Sequence, residues 1–542
     1  HQDIPEYIRL TGEGRYKEAL EVILDKNPLP FITGTLCAHN CMTKCTRNFY
    51  EEPVDVRGTK LMAAKNGYES VLPYVKAKAA ISKKTAVVGG GPSGIAAAYF
   101  LAREGADVTI FEKEAQLGGV IRYVIPEFRI TDSDIEKDLS FIKALGVTVK
   151  TGRAIGSVQE LKDEGFDSVI LAVGAHKHGI LSLEKGEVRN ALEFLREYKE
   201  KNGELSLGKN VVVIGGGNTA MDTARAASRV KGVEKVSLVY RRTKRYMPAA
   251  EDELLEVLGE GIQFCELLSP VSLENGSLLC RKMELTQADE SGRAGVKETD
   301  EWMQVPADTV IAAVGENVPT EFYQANGLAV NEKGRLRLNT QTCETSVAGI
   351  YAVGDGSRGA ATIVEGIRDA QLAAKDILKK DIVSQHPDQG TNEDCYKKKG
   401  ILCEKAQASS EADRCLDCSR VCENCVDVCP NRANISIHVP GMEKDQVIHV
   451  DYMCNECGNC GTFCPYASAP YKDKFTLFAS EADMADSKND GFTVLDHENR
   501  ICKVRFLGTE KQCKADDPED PLFENLRKLI LAVICDYSYL IP

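Results

Sequence analysis

The sequence predicts an α/β protein built on two Rossmann-like domains, one inserted in the other. A cysteine-bearing helical segment precedes them and a small cysteine-rich domain follows. Three observations predict this: two glycine-rich loops, each between a β-branched strand and a helix; a later strand that ends in Gly-Asp; and nine cysteines near the C-terminus at cluster spacing.

At 542 residues the chain exceeds what one core supports and is expected to hold about three or four domains. Apolar content of 43% beside 27% charged residues is ordinary for a globular protein. A net charge of −14 argues against nucleic acid and anionic membrane as partners. No apolar run reaches the roughly 18 residues of a membrane span, and Leu529 to Cys535 reads as one buried helix face. Most of the 20 cysteines fall at metal spacing, which fits a reducing cytoplasm; no signal peptide is visible. The first residue is His1, so the chain is expected to begin inside a longer natural sequence.

The first loop is Gly89-x-Gly91-x-x-Gly94, after the strand TAVV and before the Ala-rich helix IAAAYFLAREG. Its glycines permit a tight turn and let a pyrophosphate approach the helix N-terminus, where unpaired N–H groups favour anions. A second strand, Asp107 to Phe111, leads to Glu112, a carboxylate placed to bind ribose hydroxyls. The second loop is Gly215-x-Gly217-x-x-Ala220, within NVVVIGGGNTAMD. The strand after it, Val236 to Tyr240, is followed by Arg241, Arg242 and Lys244, cations that suit the 2′-phosphate of NADP.

Gly349 to Asp355 leads through GSRGAAT into a helix expected to begin near Thr362. This resembles the Gly-Asp element of two-dinucleotide flavoproteins, whose aspartate binds the ribityl chain of FAD. The helix N-terminus then faces the flavin pyrimidine edge. Leu171 to His176 and Ala312 to Glu316 match the crossover elements of that superfamily, so the FAD domain is expected to be discontinuous with the NADPH domain inserted. Candidate cofactor-binding residues are Gly89, Gly91, Pro92, Ser93, Gly94, Glu112, Gly119, Arg129, Gly174, Gly354, Asp355 and Thr362, with Gly215, Gly217, Asn218, Thr219, Ala220, Arg241 and Arg242 for NADPH. No residue is singled out as catalytic.

A disulphide reductase of this superfamily needs a cysteine pair beside the flavin. None lies between Cys45 and Cys265, so hydride from NADPH lacks a thiol exit. Iron–sulfur clusters are the nearest alternative. Cys454, Cys457, Cys460 and Cys464-Pro follow C-x2-C-x2-C-x3-C-P, the two-cluster ferredoxin pattern, in which the fourth cysteine ligates the other cluster. The first run departs from it by one residue between Cys418 and Cys422. The expected sets are Cys418, Cys422, Cys425 and Cys464 for one 4Fe–4S cluster and Cys454, Cys457, Cys460 and Cys429 for the other, with Cys415 as an alternate ligand. A zinc site or disulfides are the competing reading.

Ile4 to Asn27 are helical in period, Asn27-Pro-Leu-Pro breaks the helix, and Cys37, Cys41 and Cys45 follow at C-x3-C-x3-C. Three thiols do not complete a cluster. Asn27-Pro-Leu-Pro through Cys45, then VIPEFR, GGGNTAMD and VYRRTKRYMPAAEDE, resemble the NADPH-dependent glutamate synthase small-subunit family. Dihydropyrimidine dehydrogenase and a bifurcating transhydrogenase share that module. CVDVCPNRANISI, CNECGNCGTFCP and PYKDKFTLF resemble the FAD/iron–sulfur subunits of the selenate reductase type, associated with anaerobic purine catabolism.

The resemblance implies up to two N-terminal clusters, with Cys37 and Cys41 serving one and Cys45 the other, and with further ligands from a segment upstream of Gln2. Thr33 stands where many relatives have another cysteine, and Val56 to Lys60 offers no replacement ligand, so those clusters are not expected to be complete on this chain. It also implies a redox partner subunit, a molybdenum hydroxylase such as a xanthine dehydrogenase-like enzyme or a ferredoxin-like protein, in a hetero-oligomer. The alternative is a reductase with its own substrate site, as in glutamate synthase or pyrimidine dehydrogenase. Expected boundaries are 1–80 for the N-terminal segment, 81–205 and 316–383 for the FAD domain, and 206–315 for the NADPH domain. A linker at 384–414, ferredoxin-like residues 415–475 and a C-terminal region 476–542 complete the chain.

Overall fold

The computed structural model describes every residue except 1, 50, 176, 180, 289–293, 381, 383–397, 399–401, 419–421, 443–444, 467 and 519–521. Most of the expected linker, including Cys395, lies outside the described residues. The chain forms two compact units, one of residues 1–2, 23–38 and 60–385 and the other of 3–22, 39–59 and 386–542. The N-terminal segment is thus divided between them.

The first unit holds two parallel five-stranded sheets. In one, the strands run in the order Ile350–Ala352, Ser168–Leu171, Lys84–Val88, Asp107–Phe111, Thr148–Lys150. In the other the order is Arg189–Asn190, Thr309–Ala312, Asn210–Ile214, Lys235–Tyr240, Gln263–Glu266. The central strands are buried on both faces, as parallel strands covered by helices must be, so they read as unbroken apolar runs. In both sheets the strand before the glycine loop sits where the order reverses. A crevice opens there beyond the strand ends, the usual ligand position in such sheets.

The first sheet is interrupted in sequence. Ile350–Ala352 pairs in parallel with Ser168–Leu171, although the second sheet lies between them in the chain. Two short antiparallel strands, Lys177–His178 and Glu316–Asn317, lie on the entering and leaving segments. A three-stranded antiparallel sheet, Leu268–Glu274, Ser277–Ala288 and Ala294–Pro306, buries Leu278, Cys280 and Val305 against Val212, Ile214 and Val310. Cys265 and Cys280 are therefore core thiols, and burial pushes Cys280 up to about 12.

The helical period expected from Ile4 to Asn27 is broken. Gly14, at φ +73°, ends Ile4–Gly12, and a new helix runs Tyr16–Leu24. Glycine takes this left-handed backbone without a Cβ penalty, a common helix stop. Asn27 then caps the Pro-rich turn by accepting from the Leu29 N–H at 3.1 Å. Its amide donates to the Thr33 hydroxyl at 2.7 Å, which fixes Thr33 in the core at 0% exposure.

In the second unit a six-stranded sheet runs in the order Asn434–Ile437, Gln446–Val450, Thr476–Phe478, Gly491–Asp496, Ile501–Phe506, Thr509–Lys514. The cysteine-rich segment and the C-terminal region share this sheet. The helix Glu524–Asp536 lays Leu529, Ile530 and Val533 on it. Cys502 and Cys513 face each other across adjacent strands inside that core.

Candidate functional site

The first glycine loop is shaped by close backbone approaches. Gly89 has φ +106°, and a Cβ there would lie 2.3 Å from the Ala172 carbonyl oxygen. A Cβ on Gly94 would lie 2.0 Å from the Gly89 oxygen, so the third glycine lets the helix Pro92–Arg103 press against the turn. At Gly91, by contrast, a Cβ would meet only the Gly119 Cα, at 3.9 Å. That gap at the N-terminus of a buried helix is a cradle into which a phosphate fits.

Glu112 is 5% exposed and accepts from the Gly90 N–H at 2.7 Å and the Glu114 N–H at 2.8 Å. Each carboxylate oxygen keeps a further lone pair for a ribose hydroxyl. Gly119, at φ +55°, brings its loop against Gly91, while Gly174 at φ +72° borders open space. Ser93 packs between two glycines: a Cβ on Gly354 or Gly366 would lie 2.1 or 2.2 Å from its Oγ. Ser93 therefore seats the first Rossmann helix on the helix Ile363–Leu378. Thr362 caps that helix, as expected, through a capping box with Glu365.

Asp355 follows Gly354 and accepts from the Ala361 N–H at 3.1 Å. Burial pushes its carboxyl up to about 6, and the charges of Glu316 and Glu365 act in the same direction. Glu316 is itself raised by burial, against a 3.3 Å hydrogen bond donated by Thr219. Thr219 lies in the first turn of the second Rossmann helix, Asn218–Ser228, so Glu316 and Asp355 connect the two crevices.

The second loop repeats the first. Gly215 approaches the Ala313 oxygen, at 2.5 Å from its would-be Cβ, and packs on Ala220. Gly217 has only Pro248 within 4 Å of that position, at 3.9 Å. Asn218 accepts from the Ala250 N–H at 3.2 Å. Beyond Tyr240, Arg241 is exposed, whereas Arg242 donates to the Ala294 carbonyl at 2.8 Å. Arg129 stands apart from the loops: its guanidinium lies between Asp222 and Glu253, at 2.5 Å from each. No single-residue signal in the sequence marked Gly90, Glu316, Asp222 or Glu253; only their placement beside the loops brings them forward.

Cys429, Cys454, Cys457 and Cys460 line one cavity with Asn431, Asn434, Gly458 and Tyr471. They are the four grouped by the crossed ferredoxin spacing. Backbone N–H groups donate to two of the sulfurs, Ala433 to Cys429 at 3.2 Å and Glu456 to Cys454 at 3.3 Å. The four thiols surround a common space, and a cubane is held in that way, each thiolate binding its own iron. Tyr466 is close enough to Cys418, Cys422 and Cys464 to feel their charge, and its hydroxyl donates to the Cys418 carbonyl at 3.0 Å. Burial pushes Cys418 and Cys425 up to about 11 as free thiols, so iron binding must displace their protons.

The pyridine nucleotide-disulphide oxidoreductase profile matches residues 83–376, and the 4Fe–4S domain II of dihydropyrimidine dehydrogenase matches residues 1–70. The chain belongs to the pyridine nucleotide-disulphide oxidoreductase family. The Escherichia coli oxidoreductase YgfK is 42% identical over 93% of this chain and 50% of its own length. The chain thus spans about half the length of that curated relative. The NADPH-Fe(3+) oxidoreductase subunit beta of Geobacter sulfurreducens is 32% identical over 78% of this chain and 74% of its own. Among solved structures, FprA of Mycobacterium tuberculosis is 22% identical and covers 55% of this chain and 84% of its own, with a TM-score of 0.48. The chain thus combines a pyridine nucleotide-disulphide oxidoreductase domain with a 4Fe–4S domain of the dihydropyrimidine dehydrogenase kind.

Proposed function

We propose that this chain takes hydride from NADPH and delivers the electrons one at a time to a partner redox subunit. The observation that carries the reading is the contrast between the two crevices: a buried acid, Glu112, closes one, and an exposed guanidinium, Arg241, closes the other. A carboxylate suits ribose hydroxyls, whereas a cation suits a 2′-phosphate. Gly215, Gly217, Asn218, Thr219, Ala220, Arg241 and Arg242 hold NADPH in this reading. Gly89, Gly91, Pro92, Ser93, Gly94, Glu112, Gly119, Gly174, Gly354, Asp355 and Thr362 shape the FAD site. Thr219 and Glu316 lie where the two crevices meet.

When bound, FAD accepts a hydride as an electron pair and the clusters carry single electrons onward. The chain's own residues orient the nucleotide and hold the cluster thiolates. The outlet is a partner subunit of the molybdenum hydroxylase kind, resembling xanthine dehydrogenase, which would join purine oxidation to NADP. The Geobacter relative's name, as a beta subunit, supports a multi-subunit setting.

The test is kinetic. Arg241→Ala with Arg242→Ala is expected to raise the KM for NADPH by about tenfold or more, one charge-assisted contact being worth about 1.5–3 kcal/mol, and to leave NADH nearly unchanged. Equal losses for both nucleotides would remove the NADPH assignment.

A further inference from the structure

The second unit buries two polar side chains that the proposed electron path leaves without a task. Asn434 and His449 stand opposite each other on the antiparallel strands Asn434–Ile437 and Gln446–Val450. Their exposures are 1% and 2%, and Ile437, Ile448 and Val450 on the same two strands belong to the apolar core. A buried amide and a buried imidazole persist in such surroundings only when hydrogen-bonded. The His449 Nδ1 lies 3.0 Å from the Asn434 Oδ1, and the Asn434 Nδ2 donates to the Cys425 carbonyl at 3.1 Å.

The two contacts set the orientation of both side chains. A carbonyl only accepts, so the Cys425 oxygen decides which end of the Asn434 amide carries the hydrogens. The amide oxygen therefore faces His449, and Nδ1 of that ring carries the proton. Burial pushes His449 down to about 4, so the ring is neutral and its Nδ1–H remains a donor. Of the two Nδ2 hydrogens, one points to Cys425 and the other has no partner among the described residues. Asn434 also lines the cavity framed by Cys429, Cys454, Cys457 and Cys460. The residue before it, Ala433, already donates its N–H to the Cys429 Sγ at 3.2 Å, so two successive residues present donors at this cavity.

We propose that Asn434 donates its second amide N–H to the cluster held by Cys429, Cys454, Cys457 and Cys460, and that this contact raises the reduction potential of that cluster. His449 is the positioning residue that keeps the amide turned towards it. The inference rests on the iron–sulfur part of the proposed function and deepens it. A reduced cluster carries one more negative charge than an oxidised one, so donors to its sulfurs favour the reduced form. In a low-dielectric core such a donor, aligned by a second buried group, acts more strongly than it would in water.

The test is an anaerobic redox titration of the iron-loaded full chain, followed by EPR. Asn434→Leu, similar in volume, is expected to disfavour reduction of one cluster about tenfold, a fall of about 59 mV in its midpoint, with the other cluster moving less. His449→Leu is expected to lower the same midpoint by a smaller step, because the amide is then free to turn. A merely structural pair would change stability and leave both midpoints where they were. Unchanged midpoints in Asn434→Leu overturn the proposal. Should that variant fail to hold iron, unchanged midpoints in His449→Leu overturn it instead. An unaltered chain with no 4Fe–4S signal overturns the proposed function as well, which separates that failure from this one.

Discussion

Asp355 holds its carboxyl half-buried at the end of a strand, with Glu316 and Glu365 near it and Arg358 as the opposing cation. Its pKa is about 6 in the flavin-free fold, against an ordinary 3.8. Between those values the native state binds a proton that the unfolded chain has released, so stability falls as pH rises through that window. We expect Asp355→Asn to abolish this slope, so that the flavin-free variant gains on the parent above about pH 6. Thermal melting of both apoproteins from pH 4 to 7 checks it; parallel curves would contradict the placement. The aspartate itself was legible from the Gly-Asp element. Its neighbour Glu316 was not, because its role depends on a strand end brought back from a distant part of the chain.

Among the elements, those governed by local pattern were the most legible. Strand, glycine loop and helix follow one another in both Rossmann repeats, and the cap at Thr362 lies where the sequence put it. The break at Gly14 was missed because the apolar period on either side of it continues in phase. The segment VIPEFR was visible as a motif, but its task was not. Arg129 forks to Asp222 and Glu253, and Phe128 lies under Arg229 at 4.2 Å and Arg225 at 4.9 Å, so this segment straps the helices Asn218–Ser228 and Glu251–Gly259. The three ionic partners are 12%, 10% and 9% exposed. Arg129→Ala strands two buried carboxylates and is expected to cost about 3–5 kcal/mol in chemical denaturation while FAD content at low denaturant holds. Selective loss of FAD with unchanged stability would instead make Arg129 a cofactor contact.

Across the whole molecule the chain passes repeatedly between its two units, and the second is assembled from both ends of the sequence. Composition and spacing announced the cofactor classes, but not which pieces of the N-terminal segment go with which unit. That is set by buried polar contacts such as Arg47 and Arg414, which no periodicity records. Because metal binding supplies folding free energy, stripping iron with a chelator is expected to open residues 386–542 to protease well before residues 60–385. Limited proteolysis read by mass spectrometry checks the order of cleavage; simultaneous digestion would contradict it.

The interruption of the first Rossmann sheet bears on how the protein is made. Ser168–Leu171 emerges from the ribosome long before Ile350–Ala352, the strand that covers its open side. At ordinary rates of synthesis that wait is on the order of ten seconds, during which an apolar edge stands unpaired. The nascent chain in that interval is a natural client for a chaperone, and mutations that slow closure of the inserted domain would lengthen its exposure to misassembly.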